Sequence, residues 1–132
     1  MPVIEKSPEQ ELYDAIFLTC LNLGYRTYDY LPPDGTQYPF VFIGEIFQQD
    51  RHTKSGLFGD IQVTIHVYNN YKERRETTTM RDNIKLALYR LKQAGNIYVR
   101  LREGTGQILI DDTGTAPKLH GILELDFTYT RR

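Results

Sequence analysis

Residues 61–68, IQVTIHVY, alternate without a break: Ile61, Val63, Ile65 and Val67 share one side, and Gln62, Thr64, His66 and Tyr68 the other. A sustained period of two predicts a half-buried β-strand. Ahead of it, 40–47 sets Phe40 and Phe42 on one side and Val41 and Ile43 on the other, which predicts a strand covered on both faces. The charged stretch 48–60 reads as a long loop joining the two as an antiparallel hairpin with an extended tip. Near the C-terminus, Leu123, Leu125, Phe127 and Tyr129 alternate with Glu124, Asp126 and Thr128, predicting a strand over about 119–129. Residues 97–102, the turn-like Glu103-Gly104-Thr105-Gly106 and residues 107–111 read as strand, turn and strand of a second hairpin, followed by a loop at 112–118.

Two segments change period. Leu12, Ala15, Ile16, Thr19, Cys20 and Leu23 recur at helical spacing. Ser7 fits the N-cap, Pro8 the first helical position and Gln10 the third, as in a capping box, and Gly24 fits a stop. This predicts a helix over 8–23. A short extended piece at 25–31 and a Pro-Pro-Asp-Gly turn at 32–35 follow. After polar residues 69–75, Met80, Ile84, Ala87, Leu88 and Leu91 form the stripe of a second helix over about 76–94, with Gly95 ending it. The order predicts an α+β fold: a mostly antiparallel sheet with two helices packed on one face. The length suggests a single domain over 1–132.

Charge narrows the partners. Sixteen basic and seventeen acidic residues leave a formal net charge of −1, so no global field draws the chain to phosphate. Ten tyrosines and no tryptophan suit both strands and interfaces. A lone cysteine, Cys20, gives no internal disulfide. No apolar run reaches transmembrane length and the first ten residues lack a signal-peptide pattern, so a cytosolic place of assembly and no membrane partner are expected.

Reactive chemistry finds little support. His52, His66 and His120 lack ligand spacing and read as scattered surface residues, so neither a metal nor a cofactor is expected. Cys20 falls on an apolar helix face, where a thiol stays protonated. Ser7 is a cap, and Ser55 lacks the strand–turn–helix setting of a nucleophile. Asp111 with Asp112, and Glu124 with Asp126, read as solvated carboxylates. Basic clusters at 51–54, 72–75 and 100–102, interleaved with Tyr71 and Tyr98, keep a small nucleic-acid-binding module open as an alternative, with Lys72 and Arg74 as contributors.

Tyr38-Pro39-Phe40-Val41-Phe42-Ile43-Gly44-Glu45, a polar loop with Thr53 and Lys54, the strand Val63-Thr64-Ile65-His66-Val67-Tyr68 and an amphipathic helix together form an ordered pattern. With the helix ahead of it and the Gly121–Phe127 strand, it resembles the tail-terminator (tail-completion) proteins of long-tailed bacteriophages. The resemblance implies a non-enzymatic subunit of a hexameric ring at the head-proximal end of a virion tail, assembled in the bacterial cytoplasm. Such a ring caps the tail tube protein, stops its polymerisation and docks the head-completion or connector protein. DNA passes through its lumen without specific binding. Another head–tail connector component, a head-completion or stopper protein, is the nearest rival. Composition suggests, apart from the resemblance, subunit or partner contacts on the edge and tip of the 40–68 hairpin, at Arg51, Thr53, Lys54, Leu57 and Phe58. A second face is expected at Tyr71, Lys72, Arg74 and Arg75 with the 112–118 loop.

Overall fold

The computed structural model describes residues 6–53, 56–114 and 116–131, with the side chains at 52, 53 and 56 excepted. Its first helix, α1 (Pro8–Asn22), begins where Ser7 Oγ accepts the backbone N–H of Gln10 at 3.1 Å. Gln10 does not complete the expected box: its amide donates instead to Asp14 at 2.7 Å. Leu12, Ile16 and Cys20 are fully buried, whereas Leu23, at the cap, is exposed. Gly24 follows at φ +90°, a left-handed stop that favours glycine.

The sheet contains β1 (Thr27–Tyr28), β2 (Phe40–Thr53), β3 (Gly56–Asn70), β4 (Gln93–Ala94), β5 (Ile97–Asp111) and β6 (Lys118–Arg131). Their spatial order is β1-β2-β3-β6-β5-β4, antiparallel throughout except where β1 joins β2. The second helix, α2 (Arg74–Arg90), lies over β3, β6 and β5, and α1 lies over β2 beside it. Both helices cover the sheet face that carries Ile61, Val63, Ile65, Val67, Leu123, Leu125, Phe127 and Tyr129. The α+β architecture is therefore as the patterning predicts.

Four local expectations are overturned. Residues 48–60 are strand almost throughout, because β2 and β3 stay paired as far as Thr53 opposite Gly56. Gln48, Gln49, Asp50 and Arg51 hide that strand from a search for alternation, since polar residues suit an edge strand on either side. Residues 103–106 make no hairpin: β5 is one continuous strand with a bulge between Leu101 and Glu103. Its glycines face α2. A Cβ at Gly104 would stand 3.0 Å from Leu125 Cδ2 and 3.1 Å from Lys85 Cε, and one at Gly106 would stand 2.9 Å from Arg81 Nε. Glycine here admits long helix side chains close to the strand and does not mark a turn. The second helix starts at Arg74 and ends at Arg90, short of the expected 94. Gly95, at φ +55°, turns the chain so that Ala94 pairs with Ile97 as β4. The expected double cover of 40–47 also fails at its far end, where Phe47 is 61% exposed.

Candidate assembly surfaces

The residues named from composition fall at the two ends of the long strands. Arg51 sits across from Phe58 in the β2–β3 ladder and forms an ion pair with Asp60 at 3.3 Å. Both partners are solvated, so the pair contributes little to stability. Phe58 is 37% exposed, while Leu57 packs against the protein's own core. Thr53 ends β2 opposite Gly56; its side chain, and all of Lys54, lie outside the described residues.

Tyr71, Lys72, Arg74 and Arg75 gather at the other end of β3, all exposed. The backbone N–H of Lys72 donates to Asn70 Oδ1 at 3.0 Å, and its ammonium lies 5.6 Å from the Tyr71 ring centroid. Arg74 opens α2, whose N-cap, Glu73, makes no side-chain capping bond. The ladder puts Asn70 opposite Lys118, so the start of β6 lies beside this cluster. The hairpin tip does not. The 15 residues of β3 separate them by roughly 45 Å at about 3.3 Å per residue.

The helix-free sheet face carries a cluster that sequence spacing missed. His66 and His120 are not scattered: Nδ1 of the first lies 2.7 Å from Nε2 of the second. The β3–β6 register places His120 opposite Tyr68, two residues beyond His66 on the same face. Phe42 stacks on His66 and Tyr68 stacks on His120. Glu45 approaches His66 Nε2 at 3.4 Å. Both histidines alternate with core positions in their strands, a signal that both face away from the helices. Their contact follows only from the register. The side chain of His52 lies outside the described residues. Among the described residues, no group of His, Cys, Asp and Glu is arranged to hold a metal ion.

Further along this face, Glu124 and Asp126 line a shallow cleft with Glu103, Gln62 and Thr64. Asp60 lines the adjoining cleft of ≈ 330 Å³ with Phe47 and Arg102. The result is a solvated surface on which these carboxylates are interleaved with Arg100 and Arg102. On the buried side, Cys20 has its thiol pushed up to about 12 by burial, so it is not a nucleophile near neutral pH.

Comparison with known proteins fits this architecture. No curated protein matches the sequence. A solved chain from the "Virion of native gene transfer agent (GTA) particle" shares the fold at a TM-score of 0.58 and 16% identity, covering 92% of this chain and 89% of that one. The family model described as "Tail completion protein gp17" matches residues 17–126. That span takes in the end of α1, all of α2 and most or all of every strand, and the chain belongs to the tail completion protein gp17 family.

Proposed function

We propose that this protein caps the tail tube of a phage or phage-like particle as a ring, stops tube polymerisation and joins the tail to the head connector. The observation that carries this reading is the family match over residues 17–126, to which the shared fold with a gene transfer agent particle chain adds support. The role is structural, with a homo-oligomeric ring, a tail tube protein and a head-completion protein as partners. The two clusters at opposite ends of β3 suit axial contacts, one toward the tube and the other toward the head. Arg51, Thr53, Lys54 and Phe58 serve one end, and Tyr71, Lys72, Arg74 and Arg75 the other. Leu57 is spent on its own core and leaves Phe58 as the apolar contact. DNA passes without specific binding, in keeping with a net charge of −1.

Electron microscopy of lysates in which the gene is disrupted tests this. Overlong, headless tails are expected, because the tube has lost its stop. Tails of normal length that fail to join heads would move the role to a neighbouring connector step, and normal virions would overturn it.

A further inference from the structure

The long strands β2-β3-β6-β5 are bordered on both sides by two-residue stubs that cover one end of each edge. β1 pairs only with Val41 and Phe42, and β4 only with Ile97 and Tyr98. Among the described residues, positions 43–53 of β2 and 99–111 of β5 have no strand on their outer sides. Edges of that length present rows of unpaired N–H and C=O groups, which soluble proteins ordinarily shorten, charge or cover. Here the end of β5 does the reverse. Leu109 and Ile110 occupy opposite faces of the strand and are 46% and 70% exposed. Phe47, on the β2 edge, is equally uncovered.

Direction decides what fits. The four long strands alternate, so the two outermost, β2 and β5, run opposite ways. A second copy rotated about an axis along the strands brings its β2 antiparallel to β5 of the first. The same rotation carries Leu109 and Ile110 toward the end of the sheet bearing β1, where Tyr30 and Leu31 are exposed. Two different edges meeting head to tail make a heterologous contact, the kind that builds a ring when the rotation between copies closes.

We propose that the free edge of β5 in one copy pairs antiparallel with the free edge of β2 in the next, continuing one sheet from subunit to subunit. This rests on the ring reading above and names its lateral contact. It gives the flanks of the sheet to subunit pairing and leaves the strand ends for axial partners.

Cysteine pairs test it in assembled particles. A disulfide requires Cβ atoms about 3.8 Å apart, and buried Cys20 stays out of the reaction. The sheet register puts Phe47, Gln62, Asp126 and Glu103 on one rung. Phe47→Cys is therefore combined in turn with Glu103→Cys, Thr105→Cys and Gln107→Cys, which allows for stagger between copies. Tails purified from producing cells are oxidised and run on non-reducing gels. At least one double variant is expected to give a covalent ladder, while each single variant stays monomeric. Dimers from the single β5 variants would overturn the inference in favour of two-fold pairing of β5 with itself. Particles that contain the protein but yield no ladder from any double variant would overturn it while leaving the tail-capping role intact. Particles lacking even the unaltered protein would overturn both.

Discussion

His66 and His120 meet ring to ring on the helix-free sheet face, Nδ1 to Nε2 at 2.7 Å. One imidazole must donate and the other accept, so the contact requires at least one neutral ring. Burial first, and then His66, holds His120 below its ordinary pKa. Lys118 acts in the same direction, while Asp111 and Glu45 oppose it. Tyr68, stacked on His120 with ring centroids 4.3 Å apart, closes the other side.

Acid should therefore loosen this face. A histidine with a lowered folded pKa takes up its proton more readily once unfolded. Its contribution is complete above the ordinary value of 6.5 and is lost as pH falls through the lower folded value. Stability should decline from neutrality into the mildly acidic range, below the limiting slope of about 1.4 kcal/mol per pH unit for a single proton. Replacing His120 with Phe should flatten that part of the curve. Urea midpoints measured from pH 5 to 8 give the answer, and an unchanged slope in the variant would place the effect elsewhere.

Gly44 makes room for the same pair. A Cβ there would lie 2.7 Å from His66 Nε2 and 2.9 Å from its Cδ2. The ring cannot simply swing away, since Phe42 stacks on it and His120 bonds to it. Gly44→Ala should cost about 1–3 kcal/mol through overpacking. It should also shift the imidazole signals of both histidines in NMR spectra. A stable variant with undisturbed histidine signals would show that the bulge between Ile43 and Ile46 yields freely.

The ends of α1 were legible because their signals are local. Ser7, Pro8 and Gly24 each act within one turn. The strands at 61–68 and 119–129 were legible because one of their faces is core and the other is not. Gly104 and Gly106 misled because glycine marks both a turn and a close approach, and only the position of α2 decides between them. Gln48 to Arg51 concealed a strand because an edge tolerates polar residues on both sides. Clusters at 51–58 and 71–75 could be named from composition, but their separation to opposite ends of β3 needed the strand lengths. The His66–His120 contact needed the register between strands 54 residues apart.

Glu11 supplies a tie that no motif announced. Its carboxylate, 7% exposed, accepts the backbone N–H of Asn96 at 2.6 Å and so joins α1 to the β4–β5 turn. Gly95 lies against the same carboxylate, where no Cβ fits. Glu11→Ala should destabilise the protein by about 1.5–3 kcal/mol, the loss of a hydrogen bond to a charged acceptor. Glu11→Gln keeps an acceptor oxygen and should lose less. Equal denaturant midpoints for the two variants would mean that the tie is not the source of the loss.

Binding to DNA separates the structural role from a nucleic-acid module. A protein making 6–10 phosphate contacts loses about 10³–10⁵ in affinity between 50 and 200 mM salt. This chain has a formal net charge of −1. Its helix-free face sets Asp60, Glu103, Glu124 and Asp126 against Arg100 and Arg102, and the nearby Arg51 is engaged with Asp60. Lys72 and Arg74 form too small a cluster to make such a near-neutral chain strongly attractive to phosphate. Fluorescence anisotropy with duplex DNA should therefore show only weak association at physiological salt, with a dissociation constant no tighter than about 10⁻⁴–10⁻⁶ M. Lys72→Ala and Arg74→Ala should leave it unchanged. Submicromolar binding that falls steeply with salt and weakens in both variants would count for the module, because phosphate contacts through Lys72 and Arg74 would then carry the affinity.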